Sequence, residues 1–539
     1  MLASFSDIKL LVKKKTLFFS FCFLSCTILS AQITFQKTYS DGATNSVIAT
    51  IESGGYLIGG TTSDLGGNAM VFLMKLDTIG NIIWTKKYGG PGHYNFGGIS
   101  QTKDSGYIIT GNTYVQNNTD IYLVKTNNAG DTLWTRSYGG IDSEIGNSVV
   151  QTPGGDFIIA GNKYYSVVGI PDAYLVRTDS AGNLLWAKTY GGFQADEALQ
   201  VLQTSNGELI LNCLTKSFGA GINDNLLIKL LPSGATLWRK CFGSQENEYP
   251  GSVAFTSDSG FILVGETYSL GESALYLVRT DGNGDTLWAR AYYQVTESRE
   301  VGYKVLQTLD GGFIVAGQTE YYDFDELENT IRMFLLKVDA NGSIVWARSY
   351  GRPGFNYGTS VLQTPDSGFL ITGSSDGFGS LSGMYLVKTD PDGKSFCNEK
   401  DLIMNSSNIA FEIATFSLAA VVQTPDEKSP LTIVDTGATQ YYQCITGTYE
   451  SPSLTNRLVI SPNPAGKSSF IRIYWKGLSE NIVTEKTRIE LYNVLGTKYF
   501  DAETMIQPYV FNCENLTTGI YFIKVQTEKG SAVKKLIVQ

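Results

Sequence analysis

A phrase of about fifty residues recurs through the first three-quarters of this chain, and it restricts the fold to a series of small antiparallel sheets. Its fullest copy starts at residue 133: LWTRSYGG, a short loop, SVVQTPGGDFIIAGN, and then YLVRTD at 174–179. Six of the seven tryptophans fall in register, at Trp84, Trp134, Trp186, Trp238, Trp288 and Trp346, with spacings of 50, 52, 52, 50 and 58 residues. Those periods suit a sheet-based repeat and exceed most helical solenoid units. Five of the six Trp strands end in an aromatic and glycine, and a strand of SVVQT type follows. A glycine turn then leads to GYIITG (106–111), DFIIAG (156–161), GFILVG (260–265), GFIVAG (312–317) or GFLITG (368–373). YLVKT or YLVRT closes the unit at 122–126, 174–178, 276–280 and 385–389. Short runs rich in β-branched and aromatic residues, bounded by Gly, Asp and Asn, read as strands.

Counting the copies predicts the topology. The third and fourth strands occur seven times, beginning with GGYLIGG (54–60) and FLMKL (72–76). The Trp strand occurs six times, and its seventh copy is ITFQKTYS (33–40), with Phe35 in the Trp position. The pattern stops at DPDGKSFC, where Cys397 replaces the next Trp. The expected fold is all-β: a seven-bladed β-propeller over 32–397, closed by pairing its first strand with its last so that no sheet edge stays open. A small C-terminal β-sandwich follows.

The cadence Asp77-Gly80-Trp84, repeated as Asp339-Gly342-Trp346, resembles the tryptophan-docking repeats of quinoprotein-type propellers over roughly 33–397. The resemblance implies that each Trp packs between neighbouring blades as a structural element. A basic residue recurs in all seven fourth strands: Lys75, Lys125, Arg177, Lys229, Arg279, Lys337 and Lys388. Seven-fold repetition marks scaffold, here a stem packed on the blade with its head in a polar contact.

The turns between strands two and three, and between four and one, are short and nearly constant. The loops on the opposite face vary: GGPGHYNFG (89–97), TKSFGAGINDN (215–225), FGSQENEYPG (242–251), TEYYDFDELENTIR (319–332). Binding tends to sit on variable loops carried by a rigid scaffold. On that face Glu144, Asp196, Glu248 and Glu300 occupy one position in four consecutive units. Gly42 (beside Asp41), Tyr94 and Asn356 occupy it in the others. Four carboxylates on one rim could hold Ca²⁺ or a cationic ligand. They could equally accept hydrogen bonds from their own loops, or do glycosidase chemistry at a separation that sequence does not set. The acidic insertion at Asp323, Asp325, Glu326 and Glu328 reads as a solvated loop.

The formal charge of −10 argues against nucleic acid or an anionic membrane as partner. A lone histidine, His93, argues against a multi-His metal site or a Ser-His-Asp triad. Residues 1–31 read as a cleaved signal peptide, with Lys13, Lys14 and Lys15 ahead of LFFSFCFLSCTILS (17–30) and Ala31 at the exit. That apolar run is short for a membrane span, so the mature chain is expected to carry no transmembrane segment.

Residues 398–456 form a strand-rich or irregular connector and linker. Cys397 and Cys444 bracket it, and in an exported protein a disulfide between them is expected. Cys213 and Cys241 read as neighbours in adjacent strands, so a bridge there is open too, and Cys513 is left over. In 457–539, the blocks LVISPNPA (458–465), IELYNVLGTKYF (489–500), ENLTTGIYFIKV (514–525) and KKLIVQ (534–539) resemble the type A C-terminal sorting domain of the Bacteroidetes type IX secretion system. That resemblance implies engagement of the secretion machinery, then release or attachment at the outer surface. The expected function is an extracellular or cell-surface binding or adhesion module for glycan or protein, with no assured cofactor. The alternative is a secreted polysaccharide-active enzyme or a quinoprotein-like dehydrogenase. Catalytic residues are not expected from any recognisable constellation.

Overall fold

The computed structural model describes residues 33–539 except 40–42, 50–54, 64–66, 116–117, 295–297, 324–327, 379–382, 415–420, 424–425, 429–432, 435–439, 447–457, 462–469, 476–486, 494–496, 505–508 and 528–529. The signal segment, Asp41, Gly42, Asp325 and Glu326 lie outside the described residues. Among those described there is no helix. None of the described segments forms a helix long and apolar enough to cross a membrane.

Seven five-stranded antiparallel sheets account for residues 34–446. We number them I to VII in chain order of their first strand, and letter the strands a to e. Sheet III is representative: a is Ser143–Gln151, b is Phe157–Tyr164, c is Pro171–Thr178, d is the Trp strand Leu184–Tyr190, and e is Val421–Gln423. Sheet VII takes a, b and c from Asn356–Gln363, Phe369–Ser375 and Gly383–Thr389, and its d strand is Thr34–Tyr39 from the start of the chain. Phe35 lies opposite Lys388 in that pairing. The a strands of successive sheets contact one another from I to VII, and the a strand of VII contacts that of I. The a strands are therefore innermost and the d strands lie towards the outside.

The fifth strands all come from the segment that follows the repeats. Glu399–Asp401 adds to sheet VI, Met404–Asn408 to V, Glu412–Ala414 to IV and Val421–Gln423 to III. Asp426–Lys428 adds to II, Ile433–Val434 to I and Gln440–Thr446 to VII. The segment thus visits every sheet once, in the reverse of chain order. Each addition pairs an edge whose N–H and C=O groups would otherwise face water or another chain. Side chains join in: Leu402 and Met404 pack against the core between V and VI, and Phe411 meets Tyr276 edge-on at 5.4 Å.

Two bulges recur. In strand a the register slips in all seven sheets, as at Gly146/Ser148 and Gly302/Lys304. In strand d of sheets I to VI it slips beside the Trp, so that Trp186 pairs with Arg177 but Leu184 pairs with Thr178. The residue skipped there is Ile83, Leu133, Leu185, Leu237, Leu287 or Val345. A bulged residue leaves the ladder, which explains why these apolar side chains are the exposed ones of the Trp strand.

Joints between sheets explain the repeated phrase. Gly80, Gly130, Gly182, Gly234, Gly284, Gly342 and Gly393 all have φ between 76° and 84°. An added Cβ at each would strike the ring at the Trp position of the preceding sheet, Phe35 for Gly80 and Trp346 for Gly393. Only glycine suits both demands. The ring also meets an aromatic of the next b strand, as Trp134 meets Phe157 at 5.9 Å. Beside it Tyr39, Tyr88, Tyr138, Tyr190, Tyr292 and Tyr350 each donate a hydroxyl hydrogen bond of 2.6–2.8 Å to that glycine's carbonyl. The basic residues of strand c turn to the tight-turn end of their own sheet. Lys125 meets Asp104 at 2.8 Å, Arg177 meets Asp156 at 2.7 Å and Lys388 meets Asp366 at 2.9 Å.

Residues 458–538 form two further sheets, one of three strands and one of four. Both contribute to one core, with Ile460, Ile471 and Ile473 from the first and Ile489, Leu491, Ile523 and Leu536 from the second.

One sequence expectation about cysteine needs correction. Cys213 and Cys241 are free buried thiols. They lie in strands b and d of sheet IV with Leu226 of strand c between them. Two strand spacings separate them by roughly 9–10 Å, beyond the reach of a disulfide. Cys513 is also a free thiol, inside the C-terminal core.

Candidate functional site

Each acid singled out from the sequence sits within the first three residues of an a strand, directly across from strand b. Glu144 faces Lys163, Asp196 faces Thr215, Glu248 faces Thr267 and Glu300 faces Thr319. All four are buried, with relative exposures of 0, 0, 0 and 1%. They do not converge. Each belongs to a different sheet and bonds to local partners, although Glu144 Oε2 and Glu300 Oε2 are buried with no hydrogen bond among the described residues.

Glu144 takes a 2.6 Å bond from the Lys163 ammonium, which also meets Asp142 at 3.0 Å. Asp196 accepts from Gly192 N (2.7 Å), Ser217 Oγ (2.6 Å) and Thr215 Oγ1. Glu248 accepts from Ser244 N, Ser244 Oγ and Thr267 Oγ1, each at 2.8 Å. Glu300 accepts from Ser298 Oγ (2.7 Å), Gln294 Nε2 (3.0 Å) and Thr319 Oγ1 (3.2 Å). In sheet VII Asn356 does the same work, accepting from Ser375 Oγ at 2.6 Å and donating to Arg352 O at 2.7 Å. Tyr94 fills the place in sheet II with a ring set edge-on to Tyr122 at 4.9 Å. A short polar side chain that bonds its own loop fixes that loop's shape. Among the described residues no group of three or more His, Cys, Asp or Glu could hold a metal ion. His93 accepts a hydrogen bond from Ala69 N at 3.1 Å through Nδ1.

A second row of acids escaped the sequence reading. Asp120, Asp172 and Asp224 lie on c strands, 24 residues before Glu144, Asp196 and Glu248. Each faces the acid of the next sheet, so three successive joints each hold a pair of carboxyls. Burial, with the Asp120 and Asp142 charges adding to it, lifts Glu144 to about 7 against the pull of Lys163. Burial, reinforced by Glu248, lifts Asp224 to about 7. Asp172 and Asp196 are also raised, mainly by burial. The legible signal was the glycine of the YGG phrase. A Cβ at Gly139, Gly191 or Gly243 would collide with Asp120, Asp172 or Asp224 respectively.

The variable-loop face exposes large apolar side chains among charged ones such as Lys216, Glu246 and Arg352. Ile141, Val167 and Phe193 have relative exposures of 89, 92 and 101%. Val168, Ile222, Tyr249, Phe355 and Tyr357 are exposed too, with the last two rings parallel at 6.5 Å. The loops that carry them are tied together: Ser166 N donates to Asp142 at 2.9 Å, and Gln194 N donates to Ser217 Oγ at 3.0 Å.

Comparison with known proteins bears on the two parts unequally. No curated protein matches the chain in sequence. Among solved structures, Sqt1 from Chaetomium thermophilum is 11% identical, with a TM-score of 0.38, covering 67% of this chain and 100% of that one. A mutant puromycin hydrolase is 10% identical, with a TM-score of 0.33, covering 62% of this chain and 58% of that one. Residues 459–539 match the family described as a secretion system C-terminal sorting domain. That domain marks cargo of the type IX secretion system, so this chain engages that machinery and is delivered to the extracellular space or the cell surface.

Proposed function

We propose that the protein is an extracellular binding module: a seven-bladed β-propeller that presents its variable-loop face to a glycan or protein, delivered by a C-terminal β-sandwich. The closed circuit of a-strand contacts and the borrowed d strand of sheet VII support the propeller reading. The shared core of the last two sheets supports the sandwich. Residues 1–31 are its signal peptide, and the source is a member of the Bacteroidetes. The Trp rings serve as docking elements between blades and not as sugar platforms, because each lies against the next sheet's glycine. Cys397 is disulfide-bonded. Its partner in this reading is Cys444, whose strand register sets it opposite Gln36, the residue that donates to the Cys397 carbonyl.

One observation carries the binding reading. Four carboxylates of the loop face, Glu144, Asp196, Glu248 and Glu300, turn inward to brace it, while rings and aliphatic side chains such as Phe193 and Phe355 stand out in water among exposed charges such as Glu246, Glu272 and Arg352. Exposed apolar groups on braced loops mark a recognition surface. In this reading Glu144, Asp196, Glu248 and Glu300 are braces rather than a Ca²⁺ site. Array screening of the mature chain against glycans and extracellular proteins tests it. A ligand should emerge whose binding falls at least tenfold in a Phe193→Ala, Phe355→Ala double variant of unchanged melting temperature. Polysaccharide turnover abolished by Glu248→Gln would overturn it in favour of an enzyme.

A further inference from the structure

The position after the a-strand bulge has a defined task in the repeat. Ser148 Oγ accepts a hydrogen bond from Val201 N at 3.2 Å, Gln200 Oε1 accepts from Val253 N at 3.0 Å, and Ser252 Oγ accepts from Val305 N at 3.0 Å. Each bond ties an innermost strand to the innermost strand of the next sheet. Sheet VI places Lys304 at this position. An ammonium has no acceptor to offer, so this side chain is of no use to the joint. Among the described residues it has neither an ion pair nor a hydrogen bond. Seven-fold features build the scaffold, and a cation that breaks the pattern while giving up a structural bond needs another reason.

Lys304 lines an open cavity of about 760 Å³ between the a strands of sheets IV to VII, near their tight-turn ends. Its walls are mostly apolar, with Leu202, Val253, Phe255, Leu306 and Leu362. Lys304 is the one charged residue in that lining. The lining glutamines are committed elsewhere: Gln307 accepts from Ser257 N at 2.6 Å and Gln363 accepts from Leu309 N at 2.9 Å. The volume falls in the range of small-molecule sites, which combine apolar walls with few polar anchors. A lone ammonium suits a singly charged planar anion. A phosphate or sulfate would call for several converging donors.

We propose that this central cavity binds an organic monocarboxylate with an apolar body, its carboxylate on the Lys304 ammonium and its body against Leu202, Leu306 and Leu362. The site lies at the other end of the a strands from the variable loops and does not depend on the binding role assigned to them. Burial without a counter-ion lowers the pKa of the lysine, so the free site favours losing its proton and a bound carboxylate restores it. Affinity therefore falls as pH rises through the lysine's lowered pKa, while that of an uncharged analogue stays level.

Calorimetric titration of the mature protein with decanoate, decanol and acetate tests this. Decanoate should bind one to one, with acetate and decanol at least tenfold weaker. Lys304→Ser, which restores the residue found in sheets III and V, should weaken decanoate by about 10- to 100-fold and leave decanol unchanged. Lys304→Arg should keep most of the affinity. The Ser variant should also melt higher than the parent at neutral pH, which shows that it folds. Equal decanoate binding by parent and Lys304→Ser, or no decanoate binding by the parent, overturns the proposal. Phe193→Ala should leave decanoate affinity intact, and a parallel loss there would place the ligand on the loop face instead.

Discussion

Tyr138 shows how a single atom can hold two sheets together. Its ring is fully buried and its hydroxyl donates to the Gly182 carbonyl at 2.6 Å, next to the Trp134 ring on the same glycine. Tyr138→Phe keeps the packing and strands a buried acceptor, which costs about 1–3 kcal/mol. The expected result is a lower denaturation midpoint with unchanged slope in urea. Sheet IV already lacks this bond, since Phe242 stands where its fellows carry tyrosine. Asp224 makes a different prediction. Its carboxyl is raised from an ordinary 3.8 to about 7 by burial and by Glu248. The folded state therefore holds a proton that the unfolded state releases, and stability falls as pH rises between about 4 and 7. Asp224→Asn removes that proton equilibrium. Melting curves across the window should show the parent losing more than the variant, by on the order of a few kcal/mol at the alkaline end. Parallel curves would show that the Asp224 carboxyl is not raised.

At the scale of elements, strands a to d were legible because β-branched runs, glycine turns and a fixed period all agree. Even the borrowed strand at 34–39 could be read from Phe35 and Tyr39. The fifth strands were not. Segments of two to seven residues such as Ile433–Val434 carry no period and become strands only because an edge is waiting. Tertiary context decides such cases. Likewise the position of Glu144 and its fellows could be read but not their burial, because Thr215, Thr267 and Thr319 look like ordinary strand residues until paired across from them. The encircling segment also makes a prediction. If Cys397 and Cys444 bridge its two ends, the disulfide closes a long loop, worth about 2–4 kcal/mol. Cys444→Ser, or reduction of the parent, should lower the melting temperature and expose 399–446 to protease before the repeats are cut. A Cys444→Ser variant that remains insensitive, with Cys397 still oxidised, would show another partner.

For the whole molecule, the sequence separated the address from the cargo, and the structure gives each its own core. Among the described residues, the C-terminal core is built from residues at or beyond Ile460, and the cores of sheets I to VII come from residues up to Phe411. Two sets of apolar contacts that share no member need not unfold together. A chain ending at residue 456 should therefore keep all seven sheets with their encircling strands, and melt within a degree or two of the corresponding transition in the full mature protein. Its destination should change. Without the sorting domain, fractionation of the producing cells should find it in the periplasm, folded and protease-resistant, and absent from the medium and the outer surface. A fusion of residues 457–539 to an unrelated exported protein should show the reverse. Escape of the truncated chain to the medium would mean that the sheets themselves carry a second address. Collapse of its melting temperature would mean that the two cores are coupled through contacts outside either one.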